Sequence, residues 1–431
     1  MTKILALLAL SLPHALAAQS TIASRIAGAP DGEVRMTYAT RPKACGDGKN
    51  VVAVGQAFTV YSSMESYGRW SGVTCVHGPA RVAVTVRGHE VVGVRARVGG
   101  TWTSDAGVSL DLGRVPAREA AAYFLSLAPR LAGSSRNNPL LAAAIADSAA
   151  IVPDLLQLAQ NASLSRETRR RAVHWVGVVG DASAVAPLVA LARGNGDAAR
   201  LNADDPGPGD GVEGAAVGAL AMLEDGVGMD ALMDMARRGS PTVRKAAVFW
   251  LGQSDDPRAR ALVRTVVDDA NETEAVRGAA IFALGQGDNT SSDDLAFLRS
   301  AFDRLPSERL KDRVLMAMSQ NESDDGARWL IAQARDERQP TEVRRKAVFW
   351  AGQGQARLAD IVSLYNATGE PRLREHIIFV LSQRNEDGAT DALMAIARDD
   401  RDREMRKKAL FWLAQKNDPR VTKLIADLVT R

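Results

Sequence analysis

The stretch VRKAAVFWLGQSDDP, Val243 to Pro257, returns as VRRKAVFWAGQ from Val343, as MRKKALFWLAQKNDP from Met405 and more loosely as VRGAAIFALGQGDN from Val276. Aligned on Gln253, the copies place Gln286, Gln320, Gln353, Gln383 and Gln415 at steps of 33, 34, 33, 30 and 32 residues. Two further units match without the glutamine: RRAVHWVGVVGD around Ala172 and GAAVGALAMLED from Gly214. NPLLAAAIADSA precedes them as an opening helix. Between copies lie segments such as DALMDMARRG and TDALMAIARDD, with Leu and Met at the spacing of a helix face, so each unit holds a second helix. A unit this short cannot bury an apolar face alone. Repetition at this period therefore requires the units to stack into a solenoid.

The units VRKAAVFWLGQSDDPRARALVRTVVDD and VRRKAVFWAGQGQARLADIVSLY resemble HEAT-type repeats of the short bacterial kind, with the pattern Val-Arg-x-x-Ala-x-x-x-Leu-Gly followed by a turn and a partner helix. The resemblance covers roughly residues 137 to 431. It implies a right-handed stack of antiparallel helix pairs in which the second helix of each pair lines the concave side. Such repeats mostly serve as protein-binding scaffolds, and they also occur in bilin lyases and in an iron-dependent hydroxylase. That hydroxylase holds its irons with repeated His-Glu pairs at helix ends. Beyond residue 17 this chain has only His77, His89, His174 and His376; His89 alone is followed by Glu, and it falls among the strand-like runs ahead of the repeats rather than at a repeat helix end. The Glu375-His376 pair is reversed and single, which argues against a dinuclear metal site. No nucleophile motif, phosphate loop or carboxylate pair stands out, and Asp255 and Asp256 fall in a turn, where Asp accepts backbone hydrogen bonds. The expectation is a non-catalytic protein without cofactor or metal.

The repeated helix divides by angle. At about 100° per residue, Val243, Ala246, Ala247, Trp250 and Ser254 fall on one stripe, the expected buried face, with Leu251 at its edge. Trp175, Trp350 and Trp412 are equivalent to Trp250 and share its core reading. Phe249 falls about 240° from Val243, and Gln253 lies about 40° from Phe249, one turn on. The Phe249 column runs His174, Gly218, Phe249, Phe282, Met316, Phe349, Phe379 and Phe411, so six of eight members are large and apolar. Two readings stand. In one, each Phe packs sideways on the next repeat while the glutamines tie repeats together by amide hydrogen bonds. In the other, Phe249, Phe282, Met316, Phe349, Phe379 and Phe411, with Gln253, Gln286, Gln320, Gln353, Gln383 and Gln415 beside them, form a groove for an extended peptide. Arg244, Arg277, Arg344, Arg374 and Arg406 form a further column, expected to pair with acids of the preceding turn or neighbouring repeat.

One insertion, 194–214, GNGDAARLNADDPGPGDGVEG, breaks the rhythm. Asn202, Asp204, Gly207, Asp210 and Glu213 sit at calcium-loop positions, but Pro206 replaces a ligand there, and the segment reads as a surface loop.

Ahead of the array the chain changes character. EVRMTYAT, VVAVG, AFTVYSS, RVAVTVRG and EVVGVRARVGG are Val- and Thr-rich runs between turn residues, the signature of a small antiparallel β domain over 33–116. In RVAVTVRG, Val82, Val84 and Val86 point one way and Arg81, Ala83, Thr85 and Arg87 the other. The only cysteines, Cys45 and Cys75, fall in this region; in an oxidising compartment they are expected to form one disulfide, with two free thiols as the alternative. Trp70 and Trp102, with Arg69 and Arg97, are either core and rim residues or a ligand surface, which gives the alternative function of a cell-envelope or carbohydrate-binding module.

The N-terminus, MTKILALLALSLPHALAAQS, has a lysine, a short apolar run and small residues at 15 and 17, the pattern expected of a signal peptide over 1–17 with cleavage after Ala17. The expected location is the periplasm or the cell exterior. No segment approaches the roughly 20 apolar residues that spanning a membrane requires. The net charge of +3 is spread among interleaved acids, so nucleic acid is not an expected partner. The fold expected is mainly α: a superhelical α–α solenoid of HEAT-like type over 117–431, with about eight or nine helix pairs, behind the β domain. The function expected is binding of an unidentified protein or peptide.

Overall fold

The computed structural model describes residues 21–55, 57–61, 75–103, 105–131, 138–194, 211–285, 290–320, 324–416 and 418–429. The segment expected to be a signal peptide, Arg69, Trp70, Gln286 and most of the 194–214 insertion lie outside them. The chain divides into two compact units, Met1–Gly180 and Asp181–Arg431.

The first unit opens with a short helix, α1 (Ile22–Ala27), capped by the Thr21 hydroxyl, which accepts from the Ser24 amide. Strands β1 (Gly32–Tyr38), β2 (Cys45–Gly46), β3 (Val51–Val54), β4 (Ala57–Tyr61), β5 (Ala80–Arg87), β6 (Glu90–Val98) and β7 (Val108–Arg114) follow. They form a four-stranded sheet in the order β6-β5-β1-β7 and a three-stranded sheet in the order β2-β3-β4. The larger sheet departs from the antiparallel expectation, because β7 lies parallel to β1, with register shifts along the pair. β7 was also absent from the sequence reading. Of its seven residues only Leu112 is buried, so its sequence carries almost no alternation. Cys45 and Cys75 are joined in a disulfide with a sequence separation of 30, a cross-link worth about 3 kcal/mol by restriction of the unfolded chain.

Val34, Met36 and Tyr38 of β1 and Val82, Val84 and Val86 of β5 are buried. Their face meets α2 (Ala117–Leu131) and α3 (Pro139–Ala144): the Tyr38 and Phe124 rings lie 6.3 Å apart, and the Tyr38 hydroxyl donates to the Ala142 carbonyl at 2.6 Å. The unit that contains the strands therefore extends past residue 116. It also takes in α4 (Val152–Gln160) and α5 (Arg166–Val179).

The second unit is helical throughout its described residues. Its helices are α6 (Val185–Ala192), α7 (Val212–Met222), α8 (Met229–Arg238), α9 (Pro241–Gly252), α10 (Pro257–Asp268), α11 (Glu274–Gly285) and α12 (Ser292–Ala301). They continue as α13 (Glu308–Gln320), α14 (Asp324–Arg335), α15 (Thr341–Gln353), α16 (Leu358–Ala367), α17 (Pro371–Gln383), α18 (Asp387–Asp399), α19 (Arg403–Leu413) and α20 (Pro419–Val429). From α7 on they alternate as first and second helices of successive pairs. The boundaries are local chemistry: the Ser240 hydroxyl accepts from the Val243 amide with Pro241 opening the helix, and Asp256 does the same for the Arg258 amide ahead of Pro257. Each first helix packs on the first helix of the next pair, from α7 on α9 to α17 on α19. The second helices touch one another far less. No helix among the described residues is long and apolar enough to cross a membrane.

The buried stripe of the repeated helix is rotated from its expected position. In α9 it comprises Val243, Lys245, Ala246, Ala247, Val248, Leu251 and Gly252, while Trp250 is only half-buried. Trp350 and Trp412 are likewise half-buried, and of the four tryptophans assigned to the core only Trp175 is enclosed. An ideal wheel anchored on Val243 treats the helix as buried from one side. Here it is covered both by its pair partner and by the first helices before and after it, so the stripe widens toward Val248 and Leu251.

Candidate functional site

The first helices carry a run of aromatic rings on the side that the packing leaves partly open. Phe249 and Phe282 stack across α9 and α11 with centroids 6.1 Å apart and planes at 17°. Phe349 of α15 lies 6.5 Å from the His376 ring of α17, and His376 lies 5.7 Å from Phe379 in its own helix. Phe379 then meets Trp412 of α19 at 5.3 Å, and Trp412 meets Phe411 edge-on at 5.2 Å. Phe249, Phe282, Met316, Phe349 and Phe379 are half-buried, and Phe411 at the end of the run is 59% exposed. The rings thus serve as rungs between repeats and also keep area for solvent. Gln253, Gln320, Gln353, Gln383 and Gln415 are exposed next to them, and Gln286 lies outside the described residues. The Gln383 amide donates to the Ser382 hydroxyl of its own helix at 3.1 Å.

His376 was not among the candidates, although it stands one turn before Phe379 on the same face, the spacing that would have found it. Burial, and then the charge of Arg345, holds its pKa below the ordinary imidazole value. Its Nε2 is buried without a hydrogen-bond partner among the described residues, as is Nε1 of Trp250.

The tryptophans next to this column have a distinct structural task. Trp250 lies over Gly218 of α7, where an added Cβ would come within 2.9 Å of the indole. Trp350 donates from Nε1 to Asp312 of α13 at 2.7 Å, and Trp412 packs on Phe379 of α17. Each therefore fills the gap to the preceding first helix. Where the same position is small, the preceding helix supplies a glycine instead: a Cβ on Gly252 would stand 2.3 Å from Ala283 Cβ, one on Gly285 2.2 Å from Ala317 Cβ, and one on Gly352 2.3 Å from Val380 Cγ1. The corresponding residues ahead of the three tryptophans are Ala221, Ser319 and Ser382. Trp follows a non-glycine, and Ala or Val follows a glycine, in all six junctions from α7 to α19. That pairing was visible in the aligned copies and explains the glycine of the Leu-Gly-Gln motif as a close helix approach.

The arginine column ties repeats together. Arg244 binds Glu272 with two nitrogens, at 2.6 and 2.8 Å, and Arg344 binds Glu370 at 2.8 Å. Arg374 pairs with Asp400, and Arg406 donates to the Asp400 carbonyl at 2.6 Å. Arg277 and Arg344 each donate from Nε to a carbonyl ten residues back, Val267 and Ala334, at 3.0 Å. The acids lie in the turn that leads into the next first helix. Burial alone would raise the Glu272 carboxyl, but hydrogen bonds from Arg244 and the Thr273 amide hold it below its ordinary value. These arginines are structural ties.

Among the described residues no group of three His, Cys, Asp or Glu side chains is placed to hold a metal ion. In the first unit, Arg97 lies against Trp102 with its guanidinium carbon 5.9 Å from the ring centroid, so the structure joins that pair of the alternative site. The partner residues Arg69 and Trp70 are outside the described residues.

With this geometry in place, comparison with known proteins is informative about the repeats. Residues 229–319 match the family of HEAT repeats, so the chain contains repeats of that type and its helical part is a HEAT-like solenoid. No curated protein matches the sequence. Among solved structures, human deoxyhypusine hydroxylase in complex with glycerol is similar at 19% identity and a TM-score of 0.26, over 61% of this chain and 94% of that one. The complex of CpcE and CpcF of phycocyanin lyase from Nostoc sp. PCC7120 is similar at 20% identity and a TM-score of 0.28, over 56% and 92%. A Kap95:Nup1 complex is similar at 11% identity and a TM-score of 0.35, over 72% and 48%. At such scores no property of those proteins transfers to this chain.

Proposed function

We propose, with HEAT repeats as the premise, that this chain is a secreted, non-catalytic scaffold that binds an extended polypeptide along the ring-bearing face of its first helices. The observation that carries the reading is the ring-to-ring contact between repeats, in two runs on either side of Met316 of α13. Half-buried aromatic groups pass from α9 to α11 and from α15 through α17 to α19, ending on the exposed Phe411. Rings already packed against one another lose little side-chain freedom when a partner covers their remaining surface, which favours binding. The exposed glutamines beside them offer both donors and acceptors to a peptide backbone. The first helices pack on one another more closely than the second helices do, which favours the first-helix side as the inner one, against the second-helix lining that the resemblance implies. Secretion is supported by the apolar leader with small residues at 15 and 17 and by the disulfide.

The test is a photo-crosslinking residue at Gln353 in the full chain, expressed in the source cells. The expected outcome is a polypeptide adduct that is lost in the double variant Phe349→Ser/Phe411→Ser while the helical circular-dichroism signal stays intact. An adduct that survives both substitutions rejects the groove. Loss of helical signal in the double variant assigns the column to packing alone.

A further inference from the structure

The outer face of the four-stranded sheet holds a cluster of arginines around a single indole. Arg81 on β5 stands directly opposite Arg97 on β6, and Arg35 on β1 faces Ala83, two residues along from Arg81. The guanidinium carbons of Arg35, Arg81 and Arg97 lie 4.5, 5.1 and 5.9 Å from the Trp102 ring centroid. Like charges directly opposite on a sheet repel, so such an arrangement persists only if each charge has something to hold it. Two of them do. Arg81 is buried, contrary to its expected place on an open polar face, because it donates to the carbonyls of Gly99 and Thr101 at 2.7 and 2.6 Å and also to that of Gly48. Arg35 is also buried and pairs with Glu33 at 2.7 Å and Asp105 at 3.1 Å. Asp111, beside Arg35 on β7, accepts from the Gly113 amide.

Arg97 is different. It is half-buried, it makes no ion pair or hydrogen bond among the described residues, and exposed Arg95 lies two positions away on the same face. Trp102 beside it is half-buried and offers an apolar surface. From this juxtaposition we propose that Arg97, against Trp102, is a binding site for a carboxylate-bearing sugar polymer. The planar guanidinium fork matches a carboxylate in a way a point charge does not, while the indole can take the C–H face of the same sugar ring. A phosphate would use the charge but would have no use for the indole. Exposed Arg95, two positions along β6 from Arg97, offers a second charge in line with the first, which suits a chain rather than a single small ligand. Burial first, and then the charge of Arg95, push the Arg97 pKa down; Glu33 opposes them and Arg35 adds to them, so the guanidinium stays short of compensating charge and gains from an anion. The proposal is independent of the reading of the helical array.

The test is calorimetric titration of the full chain with polygalacturonate, dextran and polyphosphate. Expected is saturable binding of polygalacturonate, weakened about tenfold by Arg97→Ala and only about threefold by Arg97→Lys, which keeps the charge without the fork. Arg87→Ala removes an exposed arginine from the same sheet, opposite Glu90 and away from the indole, and is expected to leave affinity within about twofold. Equal losses for Arg97→Ala and Arg87→Ala, equal binding of dextran or polyphosphate, or no binding of polygalacturonate would each overturn the assignment.

Discussion

Between α9 and α11, and again between α11 and α13, the first helices meet glycine against alanine; between α13 and α15 they meet through an indole hydrogen-bonded to Asp312. The two junctions do the same work with opposite means. One brings backbones together by deleting a side chain, the other keeps them apart and fills the space with the largest side chain available. What the contrast teaches is that the repeat conserves a filled junction rather than a residue, so a position holding Trp in one copy and Ala in the next is consistent once the preceding helix is read with it. It also accounts for the aromatic rungs. Where Trp is present, the neighbouring Phe packs edge-on against it, as Phe349 does on Trp350; where it is absent, as at Ala283, Phe282 stacks on Phe249 instead.

The contrast breaks most sharply at a glycine junction. Gly285→Leu places a side chain where even a Cβ stands 2.2 Å from Ala317, and we expect a loss of about 3 kcal/mol in urea denaturation. Gly369→Ala, in a place where nothing lies within 4 Å, should change stability by less than about 0.5 kcal/mol. Similar effects for both would mean that the close approach does not matter. At the indole junction, Trp350→Ala should lose about 2 kcal/mol, less than a fully buried Trp because the ring is half-buried. Hydrogen exchange should then rise mainly in α13 and α15, since repeat arrays pass stability to nearest neighbours; a uniform rise across the array would contradict that.

The smallest effect expected is a pH dependence at His376. Its folded pKa lies below the ordinary value, so the fold favours the neutral ring. That contribution is complete above the unfolded value of about 6.5 and is lost as pH falls through the lower folded value. Between pH 7.5 and 5.5 the urea midpoint of the natural chain should fall more than that of His376→Gln, whereas equal slopes would place the titration elsewhere. Asp400 does not obscure this window. Burial tends to raise Asp400, but bonds from Tyr365 and the Asp402 amide, with the charge of Arg374, hold it below the ordinary range, so it titrates at lower pH.

Period and pattern made the solenoid legible, because a helix pair of fixed length repeated with the same apolar positions has only its neighbours against which to bury them. The pairing of Cys45 with Cys75 was legible because the sequence holds only these two cysteines, close together in the strand-rich region, leaving free thiols as the alternative. The position of the Phe column at the margin of the buried face followed from its angle alone. Tertiary structure decided what that angle could not: that Trp250, Trp350 and Trp412 face the preceding repeat instead of the core, that β7 returns parallel to β1, and that Arg81 is buried while Arg97 beside it is left half-open. In each case the deciding contact lies a repeat or a strand away. A helical wheel or a strand alternation knows which residues share a face, but not how many neighbours that face will meet.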